Sequence, residues 1–243
     1  MQLQALKMPI KGILLDIEGT TTSISFVYDV LFPFARRHAA EFVKNANANL
    51  IELQHEHEND IRQGTNPPPW SAGPLAYIHW LMDQDRKSTA LKNIQGKIWL
   101  NGYENGELRG EVFPDVPPAL ERWRSNQIDV RIFSSGSVLA QRLLFSTTSA
   151  GDLTRYLNGY FDTTTGPKND ASSYGRIAHS FGIPAADILF ISDVTRELDA
   201  ARTAGMQTLL CVRPGNHPQP SHNHPIVSSF DDVGARGEKN EQG

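Results

Sequence analysis

The chain has 243 residues, enough for one well-buried core carrying an insert or for two small domains. A formal net charge of −4, a pI near 6.1 and no basic stripe with interleaved aromatics exclude a general nucleic-acid binder. Cys211 is the single cysteine, so no intrachain disulfide forms and a reducing compartment is expected. Met1 to Met8 lacks the apolar core of a signal peptide, and no run of 18 apolar residues occurs. The expectation is therefore a cytoplasmic protein with no membrane partner.

Short apolar runs separated by helix-length segments recur along the chain. They are Ile13 to Asp16, Val130 to Phe133, a weaker Gly159 to Asp162, Ile188 to Ile191, and Thr208 to Val212. Strands alternating with helical segments predict an α/β fold, a Rossmann-like parallel sheet built from βαβ units. The interval between the first two runs is far longer than an ordinary βα connection. Within it, Phe26 to Val43, Leu50 to Gln63, Leu75 to Met82 and Ala90 to Leu100 read as helices, broken by the rigid Thr65 to Trp70 loop. The predicted organisation is a discontinuous α/β core, residues 1–23 and 111–233, with a helical insert over residues 24–110. That insert is expected to cap the strand edge and close over a small substrate. Residues 234–243 read as a disordered tail.

Four constellations follow predicted strands. Asp16-Ile17-Glu18-Gly19-Thr20 sets two carboxylates two positions apart, which on extended chain share a face. One can attack phosphorus while the other handles a proton. Ser134-Ser135-Gly136-Ser137 supplies hydroxyls and N–H groups suited to a phosphate. Lys168 can neutralise a phosphoryl oxygen, and Asp193 can face Asp16 across neighbouring strands to hold a hard cation. Each alone has a plainer reading: the aspartates as helix caps, the serines as a capping turn, the lysine as a solvated surface residue. Their placement in order on successive βα units favours one shared site. His55-Glu56-His57-Glu58 reads as a solvated charged face, His217, His222 and His224 as a plain loop, and Trp80 and Trp99 as core.

At these residues the chain resembles the haloacid dehalogenase superfamily of phosphohydrolases, with Asp16-Ile17-Glu18-Gly19-Thr20 in place of the Asp-x-Asp-x-Thr motif. Glu18 at the variant position, His79 to Asp83, Asp85 to Lys92, Gln95 to Trp99, Phe113 to Val116 and Ser192 to Ala201 are similar to the enolase-phosphatase (acireductone synthase) branch of methionine salvage. The resemblance covers about residues 10–230. It implies a phosphoric monoester hydrolase acting on 2,3-diketo-5-methylthiopentyl 1-phosphate, which is enolised and then dephosphorylated. Asp16 would be the nucleophile and Glu18 the general acid/base. Ser134 and Ser135 would bind the phosphate, and Lys168 would hold the phosphoryl group. One Mg²⁺ per subunit would rest on Asp16, Glu18 (through its carbonyl) and Asp193. The base for enolisation is left open between Glu18 and an insert residue, and the enolate's positive partner between Mg²⁺ and Arg86, Lys87 or Lys92. A small phosphate ester is the expected partner of a monomer. A generic capped phosphatase of a sugar or glycolate phosphate, and a non-catalytic acidic receiver module, remain the alternatives.

Overall fold

The structure is a computed structural model, and it describes residues 9–45 and 50–234. The chain divides into two compact units, Met1–Phe26 with Arg109–Gly243, and Val27–Leu108.

The first unit is built on a parallel sheet of β1 (Gly12–Leu15), β2 (Asp129–Phe133), β3 (Gly159–Phe161), β4 (Ile188–Ser192), β5 (Gln207–Cys211) and β6 (Ile226–Val227). The strand order is β3-β2-β1-β4-β5-β6, every pair parallel. All of β1 and β4 is buried, which is why both read as unbroken apolar runs: helices cover both faces of a parallel sheet. The helices are α5 (Val116–Ser125), α6 (Val138–Ser146), α7 (Ala171–Phe181) and α8 (Thr195–Thr203), numbered after the four helices of the second unit that precede them in the chain. Leu14, Phe133, Tyr174, Ile177, Phe190 and Leu198 lie at the centre of the core. Local chemistry sets the helix ends. Asp170 caps α7 by accepting from Ser172 N–H at 2.9 Å, and Gly182 closes it in the left-handed conformation at φ 69°.

The strand bounds shift by a residue or so from those expected, and the expected run ending at Asp16 stops at Leu15. Three features were not anticipated. Two-residue β6 is too short to leave a pattern. Helix α5 opens on Pro117 and Pro118, which are compatible with a first turn because its N–H groups have no helical partner. Finally, the chain leaves and re-enters this unit at one place: Phe113 N–H donates to the Thr21 carbonyl at 3.0 Å, and the Thr22 hydroxyl donates to the Glu111 carbonyl at 2.6 Å.

The second unit is helical. A π-helical segment, Phe26–Leu31, leads into α1 (Phe32–Asn45), followed by α2 (Ile51–Arg62), α3 (Pro74–Asp83) and α4 (Thr89–Glu104). The expectation of a solvated face at His55–Glu58 is half wrong. His57 is 2% exposed, with Nε2 2.8 Å from the Pro68 carbonyl. Glu56 accepts from Thr89 and Ala90 N–H, each at 3.0 Å, and so caps α4 from a neighbouring helix. Trp99 is core, its indole donating to the Leu31 carbonyl at 2.8 Å, whereas Trp80 is only partly buried and stacks on Tyr77. Arg86 is paired with buried Asp60. No described helix is long and apolar enough to cross a membrane. Residues 235–243, nearly all of the expected tail, lie outside the described residues.

His224, expected in a plain loop, is instead a buried strut. Its Nδ1 lies 2.8 Å from Thr208 Oγ1 on β5 and its Nε2 3.0 Å from Asp199 Oδ1 on α8. Burial, then the Arg202 charge, pull its pKa below the ordinary histidine value against the pull of Asp199. The folded state therefore holds this proton more weakly than the unfolded chain does. Stability present above about pH 6.5 is lost as pH falls below it. Melting wild type and His224→Gln at about pH 7.5 and about pH 5.5 should show a smaller acid-induced drop in Tm for the variant. Equal drops would remove His224 as the source.

Candidate active site

The strand order turns about β1 and β4, and in such a sheet ligands bind beyond the carboxyl ends of the strands flanking that point. Asp16 follows β1 and Asp193 follows β4, so both carboxylates stand there. Asp16 N–H continues the ladder, donating to the Ile191 carbonyl at 3.0 Å. This places Asp16 beside Ser192, whose hydroxyl donates to Asp16 Oδ2 at 3.0 Å. Asp16 is 4% exposed and Asp193 7%.

Lys168 arrives from the loop between β3 and α7. Its Nζ lies 2.6 Å from Asp16 Oδ1 and 2.7 Å from Glu197 Oε2. Glu197 stands in the first turn of α8, and Ser192 Oγ is also 3.2 Å from Glu197 Oε2. One hydroxyl proton thus serves either of two carboxylates. The Tyr174 hydroxyl fixes the loop by donating to the Lys168 carbonyl at 2.7 Å. Burial opposes the Lys168 ammonium, but Asp16 and Glu197 more than reverse it, so its pKa lies above the ordinary lysine value. Burial also raises the Glu197 carboxyl, with Lys168 opposing. Asp193 is pushed up to about 7 by burial and by the Asp16 charge, which Lys168 offsets only in part. The centre thus holds more negative charge than its lysine balances.

Beyond Asp16 the chain bends at Ile17 and turns through Gly19–Thr21. The Ile17 carbonyl accepts the N–H groups of Thr20, Thr21 and Thr22 at 3.2, 2.8 and 3.0 Å. This corrects the expectation that Asp16 and Glu18 share a face of extended chain: the strand has ended, and Glu18 is placed by a tight turn bridged to Thr22. Gly19 adopts φ +69°, and a Cβ there would fall 2.3 Å from Asp193 Oδ2, so only glycine lets this turn lie against the second carboxylate.

The serine loop follows β2. Ser134 is buried and its Oγ accepts from Gly136 N–H at 3.2 Å; Ser135 is exposed; Ser137 caps α6 by accepting from Ala140 N–H at 3.3 Å. Asp162 ties this loop to the one carrying Lys168, accepting from Val138 N–H at 3.4 Å and Thr164 N–H at 2.9 Å.

The sequence matches the family described as haloacid dehalogenase-like hydrolase over residues 10–205. It is 47% identical over 238 residues to enolase-phosphatase E1 of Synechococcus elongatus, covering 94% of this chain and 99% of that one. It is 48% identical over 225 residues to enolase-phosphatase E1 of Klebsiella oxytoca, covering 92% and 96%. The chain belongs to the haloacid dehalogenase-like hydrolases, in the enolase-phosphatase E1 family. Among solved structures, the UTR4 protein of Saccharomyces cerevisiae superposes with a TM-score of 0.75 at 34% identity, covering 92% of this chain and 100% of that one.

In an enolase-phosphatase E1 chain the residues present fit a hard divalent cation. Asp193 is a buried carboxylate beside another, in a centre short of positive charge, and Gly19 leaves the adjoining space free of a side chain. Among the described residues no group of three or more His, Cys, Asp or Glu side chains is arranged so that together they could hold a metal ion. Two carboxylates with a main-chain carbonyl and waters suit Mg²⁺, which dehydrates reluctantly.

Sequence reasoning placed Asp16, Lys168 and Asp193 but gave no role to Ser192, Glu197, Arg213 or Asn216. Glu197 carried a signal, since the first turn of a helix leaving a strand end faces back toward that end. Gly19→Ala should cost about 1–2 kcal/mol for its left-handed backbone and lower Tm by a few degrees. Displacing the turn against Asp193 should cut turnover on the order of 10²-fold. Wild-type turnover in the folded variant would show that the turn tolerates a side chain.

Proposed function

We propose that the chain enolises 2,3-diketo-5-methylthiopentyl 1-phosphate and then hydrolyses the phosphate ester, releasing 1,2-dihydroxy-3-keto-5-methylthiopentene and phosphate in methionine salvage. The observation that carries this reading is the meeting of Asp16, Lys168 and Asp193 at the sheet's switch point in a chain that matches enolase-phosphatase E1 over nearly its whole length.

In this reading an Asp16 oxygen attacks phosphorus and the ester P–O bond breaks. Glu18 protonates the departing enediol oxygen. Glu18 then takes a proton from water as the water oxygen attacks the aspartyl phosphate, which releases phosphate and frees Asp16. Lys168, held on its other side by Glu197, stays beside Asp16 Oδ1 and stabilises charge on the transferring group. Ser134 and Ser135 receive the phosphate from the loop after β2. One Mg²⁺ would rest on Asp16, Asp193 and the Glu18 carbonyl; when bound it screens the nucleophile from the anionic phosphate. Enolisation requires a base at the carbon between carbonyl and phosphate ester, a role that Glu18 suits. The helical unit Val27–Leu108 is the specificity module, as fold-level core chemistry does not choose a substrate.

Purified protein with Mg²⁺ and the diketo phosphate, in one anaerobic cuvette, should release phosphate and develop the ultraviolet band of the enediol together. Phosphate alone would leave a phosphatase and remove the enolase step; neither signal from folded protein would overturn the reading. Asp16→Asn should lose phosphate release by at least about 10³-fold, as removal of a nucleophile does. Retained turnover in that variant would reassign the nucleophile.

A further inference from the structure

We propose that Arg213 and Asn216, on the turn after β5, are positioning residues that clamp the main chain of the Gly19–Thr20 turn and thereby hold Glu18 and its carbonyl at the acidic centre. The proposal rests on the catalytic reading of Asp16, Glu18 and Asp193 given above.

The turn after Asp16 spends its N–H groups internally: Gly19 donates to the Thr22 carbonyl at 2.8 Å, and the next three N–H groups converge on Ile17. The carbonyls of Gly19 and Thr20 face the other way and are taken by a different segment. Asn216 Nδ2 donates to the Gly19 carbonyl at 2.9 Å and to the Cys211 carbonyl at 3.3 Å. Arg213 Nε donates to the Thr20 carbonyl at 3.3 Å. The carbonyls of the two residues that follow Glu18 are thus gripped by side chains nearly 200 residues away in sequence.

Arg213 has little freedom of its own. Its Nη1 donates to the Ser228 carbonyl at 2.8 Å and its Nη2 pairs with Asp115 Oδ2 at 2.8 Å. The rings of Phe113 and Phe230 have their centroids 4.5 and 4.8 Å from its guanidinium carbon. Burial would raise the Asp115 carboxyl, but the Arg213 hydrogen bond and the Phe230 N–H hold it below the ordinary value, so the pair stays charged. A buried guanidinium is costly unless every direction of its fork is used. Here the fork joins the turn, the strand-end residue Ser228 and the start of α5, and so ties the turn to the rigid body of the core.

Asn216 adds an observation independent of Arg213. Its Oδ1 is buried with no hydrogen-bond partner among the described residues, and it lies 3.0 Å from the point a Gly19 Cβ would occupy, the same point that is 2.3 Å from Asp193 Oδ2. Asn216 therefore packs at the junction of the turn with the second carboxylate. An amide at that place sets both the height of the Gly19 carbonyl and the space left beside Asp193. Groups that orient ligands and reacting residues in this way typically govern metal affinity and turnover more than substrate affinity.

The test compares wild type with Asn216→Leu, which keeps the branched shape and loses the donor, and Arg213→Lys, which keeps the charge and loses the fork. Folding is checked by Tm and circular dichroism, Mg²⁺ affinity by calorimetry in the absence of substrate, and kcat and KM on the diketo phosphate. Both variants should fold, bind Mg²⁺ about tenfold or more weakly and lose about 10–100-fold in kcat, with KM within about twofold. Wild-type Mg²⁺ affinity and kcat in folded Asn216→Leu would overturn the proposal, as would a loss confined to KM. If Arg213→Lys does not fold, Asn216→Leu decides alone. If wild type hydrolyses no phosphate ester, the functional reading falls, and the Mg²⁺ titration still decides whether the clamp orders the acidic centre.

Discussion

The site depends on one buried ammonium. Asp16 and Glu197 are carboxylates in a region that excludes most water, and Lys168 stands between them, 2.6 Å from Asp16 Oδ1 and 2.7 Å from Glu197 Oε2, opposing the rise that burial imposes on the Glu197 carboxyl. The lysine therefore does two things at once. It sets a positive charge against the carboxylate after β1, and it fixes which oxygen of Asp16 is engaged. Glu197 matters because it holds the lysine from the far side; a cation with one partner would swing, and a cation with two is located. The upward push on Asp193 follows from the same arithmetic, since one ammonium set among three buried carboxylates offsets the Asp16 charge there only in part. A divalent cation would complete that balance.

Sheet topology explains why these groups meet. A parallel sheet delivers every strand to the same edge, and the turn of strand order about β1 and β4 opens a gap in the connecting chain there. Residues separated by more than a hundred and fifty positions become neighbours without any local sequence relation. The loops after β2 and β3 contribute from the adjoining strands, and Asp162 holds those two loops to each other.

This division accounts for what could be read from the sequence. The strands were legible because buried parallel strands are continuous apolar runs. Asp16 and Asp193 were legible because a carboxylate just after such a run stands at the sheet edge where ligands bind, and Lys168 because it follows β3, whose end lies along that same edge. The partners of those residues were not. Glu197, Ser192, Arg213 and Asn216 act through tertiary pairings, and nothing in Arg213-Pro214-Gly215-Asn216 distinguishes a clamp from an ordinary turn. Glu56 and His57 misled for the same reason: a charged helical pattern does not reveal that one of its members caps another helix and another fills a core position. Extended-chain geometry also failed at Asp16, because the strand stops one residue before it and the turn chemistry of Gly19 takes over.

The hydrogen bonds from Phe113 to Thr21 and from Thr22 to Glu111 have a consequence for how the gene product is organised. They join the outgoing and returning chain within the core itself, so the entropy of closing so long an excursion is met by contacts that do not involve the excursion. From the core's standpoint the Val27–Leu108 segment is a loop whose ends are already tied. Such a stitched doorway separates the two tasks: the ties keep the strands and the buried lysine in register whatever length of chain lies between them.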